Sequence, residues 1–122
     1  MNFGHTIGHA IETSSLNKNK PNLHGYAVAK GMIIESYISC QLNNISKDEF
    51  LEIKQLIEGF YSDKLPIIKT PQKLVDHMKS DKKNDNSFIN FSLPTEIGHV
   101  QIDCELSEEK VLEYVSDFLK ND

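Results

Sequence analysis

The sequence predicts a mainly α-helical domain of about five helices, with a small β-hairpin before the last helix. Three observations support this fold class. Apolar residues recur at helical spacing through most of the chain, the spacing changes to alternation between Phe88 and Cys104, and helix-start signals stand at Ser46, Thr70 and Ser107. The 122 residues suffice for one domain with a modest core.

Two helices are predicted in the first part of the chain. The first covers about Gly4 to Thr13, and a polar loop follows it. The second runs from Gly25 to about Asn43 and is apolar on all sides, which predicts the buried central element of the domain. One of its faces carries Ala27, Gly31, Ile34, Ile38 and Leu42.

Two further helices are predicted from their start signals. Ser46 and Glu49 form a capping-box pattern, which begins a third helix. Thr70 and Pro71 suit the cap and first position of a fourth helix that ends near Lys79. The residues of the third helix expected to face inward are Phe50, Ile53, Ile57 and Phe60.

The end of the chain predicts two strands and a last helix. The strands are expected to meet around residues 94–96 through a loop of four or fewer residues, which indicates a hairpin. Ser107 is expected to cap the last helix. The strand residues are Phe88, Ile89, Phe91 and Leu93, then Ile97, Val100, Ile102 and Cys104. The core face of the last helix carries Val111, Leu112, Val115, Phe118 and Leu119.

Composition excludes several classes of function. A net charge of -5, from 18 acidic and 13 basic side chains, argues against nucleic-acid binding, which needs a basic surface. No apolar run approaches the roughly 20 residues of a membrane helix, and no signal peptide opens the chain. Cys40 and Cys104 have no CxxC partner and are expected to be free buried thiols. These features predict a cytoplasmic protein.

Three histidines near the start of the chain indicate a metal site. His5 and His9 are four residues apart, so they share one face of the first helix, and His24 stands at the start of the second helix. Neutral imidazole is the commonest metal ligand in proteins, but a catalytic zinc normally takes three protein ligands. His77 and His99 stand alone in the sequence and are interpreted as packing or surface residues.

The glycines beside these histidines strengthen that interpretation. Gly4 and Gly8 each cost about 1 kcal/mol relative to alanine inside a helix, so they require a reason. A missing Cβ allows backbone or ligand to approach closely. Gly25 is expected to act in the same way at the second helix start, where free N–H groups could also face an anion.

Three segments, taken together, resemble 3-dehydroquinate synthase. They are NFGHTIGHAIE at residues 2–12, LHGYAVAKGM at residues 23–32 and SDKKNDNSFINFSLPTEIGHV at residues 80–100, in the order of that family. The resemblance spans essentially the whole chain and is to the C-terminal, metal- and substrate-binding half of the enzyme. It implies that the N-terminal NAD-binding domain is absent, since no G-x-G-x-x-G pattern follows a strand. The chain is therefore expected to be a fragment that is inactive alone.

The resemblance implies a zinc site, or a site for another divalent metal. Its ligands in this chain are His5 and His24, with the third ligand a glutamate from the absent part of the protein. The family usually has a glutamate where Tyr26 stands, and a carboxylate at that position could orient a neighbouring ligand. Lys30 replaces a usually apolar residue and is expected to be a surface difference.

The resemblance also implies a set of substrate contacts. His9 corresponds to a catalytic histidine beside the substrate that helps to move protons. Asn2 corresponds to a substrate contact. Lys82 and Lys83 are expected in a loop before the first strand, where one of them would bind the substrate phosphate.

The implied reaction is the conversion of the sugar acid phosphate DAHP to 3-dehydroquinate, with phosphate release. Bound NAD transiently oxidises an alcohol of the substrate, zinc polarises that oxygen, and the net class is a lyase of the shikimate pathway, which leads to the aromatic amino acids. Three alternatives stay open: a related sugar phosphate cyclase, half of a metal-dependent polyol dehydrogenase, and a non-catalytic helical remnant.

We also expect Ile7, Ile11 and Tyr26 to form an exposed patch that favours self-association, with a homodimer as its simplest form.

Overall fold

The computed structural model describes residues 3–14, 23–61, 65–82, 88–95 and 101–121. Within these residues it contains five helices and a two-stranded antiparallel sheet before the last helix, which confirms the predicted fold class. None of the described helices is both long enough and apolar enough to cross a membrane. The elements are α1 (His5–Ser14), α2 (Leu23–Gln41), α3 (Lys47–Tyr61), α4 (Pro71–Lys82), β1 (Phe88–Pro94), β2 (Gln101–Ser107) and α5 (Glu108–Asn121).

Helix starts lie where the local signals predict them. Ser46 and Glu49 form both bonds of a capping box: the Ser46 N–H donates to Glu49 Oε1 at 2.9 Å, and the Glu49 N–H donates to Ser46 Oγ at 3.0 Å. Pro71 is the first residue of α4. The Lys110 N–H donates to Ser107 Oγ at 3.2 Å, so Ser107 caps α5.

Helix α2 is the central element, as its apolar composition predicts. It packs against α1, α3, β1 and α5. Residues on all its sides are buried, and they include the isoleucines Ile33, Ile34 and Ile38. Helix α2 ends at Gln41, and Asn43 just beyond it adopts the left-handed conformation that commonly terminates a helix, with a φ of 64°.

Glycines allow α1 and α2 to cross with their backbones in contact. A Cβ on Gly31 would collide with the Gly4 carbonyl oxygen and lie 2.6 Å from the Gly8 nitrogen. A Cβ on Gly8 would lie 2.8 Å from Val28 Cα. The close approach inferred for Gly4 and Gly8 is therefore confirmed as helix packing. No described atom lies within 4 Å of a Cβ built on Gly25, so packing does not require that glycine.

The hairpin covers one side of α2 with the inward face of β1. Ile89, Phe91 and Leu93 are buried on that face, and the register pairs Phe91 with Cys104. Pairing ends with Pro94 opposite Gln101, so six residues connect the strands and the predicted loop of four or fewer is wrong. The register is set by the match of apolar faces rather than by the shortest turn. Ile97 and Val100, which were predicted on the second strand, lie outside the described residues.

Helix α3 has a narrower buried face than the sequence predicts. Phe50 and Ile57 are buried and Ile53 is half-buried, but Phe60 is 83% exposed. The inward position predicted for Phe60 is therefore wrong. The physical reason is that, within the described residues, α3 packs mainly on α2, so a side chain at the edge of its apolar face is left exposed.

Two predictions about the surface are also wrong. Ile7 and Ile11 were expected in an exposed patch but are buried, because α1 lies between α2 and α4. Tyr26, the third member of that patch, is half-buried. Lys30 was expected on the surface but is only 7% exposed, with its ammonium 5.4 Å from the centre of the Phe118 ring. The face of the aromatic ring attracts the cation.

Candidate metal centre

The start of α1 is held by a buried carboxylate from α2. Glu35 is fully buried, and its Oε1 accepts the Gly4 N–H at 2.8 Å while its Oε2 accepts the Ile7 N–H at 3.0 Å. N–H groups of a first helical turn have no partner within the helix, so these bonds satisfy donors that would otherwise be buried without one. Thr6 Oγ1 also donates to the Asn90 carbonyl, at 3.2 Å. The segment that carries His5 is thus fixed in place.

Sequence reasoning missed Glu35, although a signal for it was present. The residue stands inside the apolar run of α2, where a lone carboxylate must find donors if the helix is buried. The sequence does not show which donors these are, because Gly4 lies 31 residues away along the chain.

The two predicted metal ligands lie next to each other. His5 is the first residue of α1 and His24 is the second residue of α2. Their ring centres are 6.2 Å apart, with an angle of 62° between the ring planes. Two imidazoles on one tetrahedral ion have ring centres about 5.2 Å apart, since metal–nitrogen bonds of about 2.0–2.1 Å put each centre about 3.2 Å from the ion and meet at about 109°. The 6.2 Å of this pair is wider by about 1 Å, so the two exposed rings must turn toward each other to share such an ion.

Each ring of the pair is held through its Nδ1 atom. The Nδ1 of His24 lies 2.9 Å from Oε1 of Glu12, and the Nδ1 of His5 lies 3.2 Å from the Phe3 carbonyl oxygen. Both rings are exposed. The His24 side chain is 62% exposed, whereas the side chain of its partner Glu12 is 32% exposed. Glu12 was not singled out from the sequence, but its spacing was a signal. His5, His9 and Glu12 occupy positions i, i+4 and i+7, so all three share one face of α1.

The pair forms an incomplete metal site by itself. Among the described residues, no group of three or more histidine, cysteine, aspartate or glutamate side chains could hold a metal ion. A catalytic zinc needs a third protein ligand. The geometry therefore provides two neighbouring donors, and their role as ligands stays a prediction.

The predicted substrate contacts are distributed differently. His9 is exposed, one helical turn beyond His5 on α1. Lys82 was predicted in a loop, but it is the last residue of α4. The helix runs past Lys79 because neither glycine nor proline follows to end it. Asn2 and Lys83 lie outside the described residues.

Tyr26 does not act as a carboxylate would beside His24. Its ring makes an edge-on contact with Tyr61 of α3, with ring centres 5.7 Å apart. The carboxylate that contacts His24 comes instead from Glu12 on α1. His24 therefore has a carboxylate partner even though tyrosine, and not glutamate, stands at position 26.

A separate cavity of about 550 Å³ opens at the other end of α2. Its walls include Tyr37, Cys40 and Lys47 and none of the three site histidines. Burial raises the pKa of the Cys40 thiol, and burial together with nearby Asp117 and Cys40 raises the pKa of Tyr37. Cys40 is a free, half-buried thiol rather than a fully buried one, and so is Cys104.

Comparison with known proteins shows similarity along nearly the whole chain. A family model described as 3-dehydroquinate synthase C-terminal matches residues 1–84. The 3-dehydroquinate synthase of Parabacteroides distasonis is 38% identical over 93% of this chain and 32% of its own length. That of Picrophilus torridus is 42% identical over 92% of this chain and 32% of its own length. The chain thus spans about a third of the length of these relatives.

A solved structure shows the same fold. It is that of a 2-deoxy-scyllo-inosose synthase complexed with carbaglucose-6-phosphate, NAD+ and Co2+. The TM-score is 0.78 at 23% identity, over 95% of this chain and 32% of that chain. At this identity the likeness establishes the architecture of the domain.

Proposed function

Because this chain belongs to the 3-dehydroquinate synthase C-terminal family, we propose that it is the metal-binding domain of a 3-dehydroquinate synthase. The complete enzyme would convert DAHP to 3-dehydroquinate with release of phosphate, as a lyase of the shikimate pathway that leads to the aromatic amino acids. Identities of 30–42% to curated synthases support this assignment.

The observation that carries the proposal is that His5 and His24 lie next to each other. Their ring centres are 6.2 Å apart, and both rings are exposed at the starts of packed helices. They would hold zinc or another divalent ion together with a glutamate from the rest of the protein. When bound, the ion supplies Lewis-acid polarisation of a substrate oxygen. The structural neighbour solved with Co2+ and NAD+ supports a divalent metal and NAD as cofactors.

The remaining side chains of the site would bind and orient the substrate. His9 lies one turn from His5 on α1, and its exposed imidazole is suited to exchange a proton with a substrate held at the pair. Lys82 at the end of α4, with Lys83 and Asn2, would contact the phosphate and other polar groups of DAHP. These contacts would hold the reacting centre in place.

The complete enzyme would have two regions, of which this chain is one. The relatives are about three times as long as this chain, and NAD would be bound mainly by the N-terminal domain that corresponds to their additional length. These 122 residues by themselves would then be inactive, because their described part supplies two metal ligands where a catalytic zinc takes three. We further propose a cytoplasmic location and a homodimer for the complete enzyme.

A chimera tests the proposed function. The chain replaces the matching third of the Parabacteroides distasonis synthase, and phosphate release from DAHP is measured together with bound metal. We expect activity from this chimera. His5→Ala and His24→Ala should each lower it by more than about 100-fold, since losing a ligand costs more than losing an outer partner.

His77→Ala is the matched control, because His77 lies on α4 and is not among the residues assigned to the site. Its activity should stay within about twofold of the parent, as expected for a substitution outside the site. A folded chimera that holds NAD and metal but releases no phosphate from DAHP would contradict the proposal.

A related sugar phosphate cyclase is the second candidate, supported by the fold of the 2-deoxy-scyllo-inosose synthase. That structure contains carbaglucose-6-phosphate, so a hexose 6-phosphate is the appropriate competing substrate. Turnover of the hexose phosphate but not of DAHP would favour this candidate. The identity of 23% to that enzyme, against 38% to the Parabacteroides distasonis synthase, favours the synthase.

A further inference from the structure

We infer that Glu12 is a positioning residue for the metal centre, because its carboxylate accepts a hydrogen bond from the Nδ1–H of His24, which leaves the Nε2 lone pair of that ring available to a metal. This inference rests on the proposed function and deepens it. It assigns a role to a residue on α1 that acts through a histidine on α2. The contact links the two helices that supply the histidine pair.

The chemistry of the contact determines the form of the His24 ring. An ionised carboxylate can only accept hydrogen bonds, so an Nδ1 that lies 2.9 Å from Glu12 Oε1 must carry the proton. In a neutral imidazole the other nitrogen, Nε2, then has the free lone pair. Free histidine in water prefers the opposite tautomer, with the proton on Nε2. The Glu12 carboxylate therefore selects the form that can bind a metal through Nε2.

The same tautomer follows for His5 from a different partner. Its Nδ1 lies 3.2 Å from the Phe3 carbonyl oxygen, which also accepts only. Both rings of the pair therefore have a free lone pair on Nε2, and their centres are 6.2 Å apart. A carboxylate or carbonyl on the second ring nitrogen is the arrangement that orients and strengthens histidine ligands at metal sites.

Helix geometry explains why Glu12 can reach His24. His5 and Glu12 are seven residues apart, two helical turns, so both side chains leave α1 on the face beside the start of α2. Tyr26, two residues after His24, makes its ring contact with Tyr61 instead. Within the described part of the chain, Glu12 therefore supplies the carboxylate that is hydrogen-bonded to His24.

The alternative is an exposed ion pair between a protonated His24 and Glu12. Pairs of this kind contribute little, typically about 0–1 kcal/mol, and would leave metal binding unchanged when removed. The two interpretations differ in the form of the neutral ring and in the metal affinity. An experiment that measures both quantities separates them.

The tautomer of His24 is measured first, on the metal-free 122-residue chain. Long-range proton–nitrogen correlation spectra of labelled chain at about pH 8.5, where imidazole is neutral, report which ring nitrogen is protonated. We expect the Nδ1–H form in the parent chain and a shift to mainly the Nε2–H form in Glu12→Ala. Glu12→Gln should retain the Nδ1–H form, because its amide oxygen still accepts. Glu52→Ala, on the exposed face of α3, is the control and should change nothing.

Metal affinity is measured second, by Co2+ titration of the chimera described above with visible absorption. Glu12→Ala should weaken Co2+ binding about 10- to 100-fold, Glu12→Gln should weaken it less, and Glu52→Ala should match the parent. Unchanged Co2+ affinity or an unchanged His24 tautomer in Glu12→Ala would overturn the inference. A parent chimera that binds no Co2+ would contradict the proposed function instead. In that case the tautomer measurement on the metal-free chain would still show whether Glu12 determines which nitrogen of His24 is protonated.

Discussion

Replacing Glu35 should destabilise the start of α1 and, with it, the position of His5. Glu35 is fully buried and accepts the Gly4 and Ile7 N–H groups at 2.8 and 3.0 Å. Glu35→Gln keeps one acceptor oxygen and places an NH2 group where the second oxygen stood. One backbone N–H then faces a donor and stays buried without a partner.

The magnitude follows from these two bonds. A hydrogen bond to a charged group contributes about 1.5–3 kcal/mol, and a donor left buried alone costs a similar amount. We therefore expect Glu35→Gln to lower the free energy of unfolding by about 1.5–3 kcal/mol, the value of one bond. Glu35→Ala loses both bonds and should cost about 3–6 kcal/mol, a large part of the roughly 5–15 kcal/mol that stabilises a typical domain.

Urea unfolding followed by circular dichroism measures the loss, with Glu52→Gln on the exposed face of α3 as the matched control. Amide hydrogen exchange adds a local readout, since the Gly4 and Ile7 amides should exchange much faster in both Glu35 variants. A Glu35→Gln chain that loses less than about 0.5 kcal/mol, the usual range for a surface change, and keeps slow exchange at both amides would refute the reasoning.

Two further predictions concern stability. Phe50→Ala should cost about 3–5 kcal/mol because Phe50 is buried, whereas Phe60→Ala should change the free energy of unfolding by less than about 0.5 kcal/mol because its ring is 83% exposed. Equal losses in urea unfolding would place Phe60 in the core after all. Stability should also fall at alkaline pH. Burial raises the pKa of Cys40 and Cys104 from 9.0 and that of Tyr37 from 10.0, so the folded chain keeps protons that the unfolded chain releases. This contribution is fully present below the unfolded values and is lost as pH rises through the folded ones. Replacing the three residues by serine, serine and phenylalanine should flatten the decline in urea midpoint above about pH 9, and an equally steep decline in that variant would contradict the assignment.

The parts of the fold that were predicted correctly depend on short-range signals. The capping box of Ser46 and Glu49 joins residues three apart, and Ser107 caps α5 over the same distance. Such bonds form between neighbours in the sequence, so the sequence displays both partners together. The hairpin loop was predicted too short because its length depends on which apolar faces of β1 and β2 pair.

The candidate site was predictable to a similar degree. The histidine segments identified His5 and His24, and their proximity follows from two helix starts that pack together. The burial of Lys30 against Phe118 was not predictable, because the two residues lie far apart along the chain and meet only across packed helices. His9 lies one helical turn from His5, as the sequence spacing predicts, but its exposure depends on which neighbours cover α1.

By itself the sequence determined the helical class of the domain, the start of each capped helix and the motifs that identify the family. Only the tertiary structure decided that Glu35 caps α1 and that Glu12 contacts His24. Periodicity and caps are properties of consecutive residues, whereas these carboxylates take partners 31 and 12 residues away. The partner of a buried or bridging carboxylate is settled by which helices pack together, and that packing is a property of the whole chain.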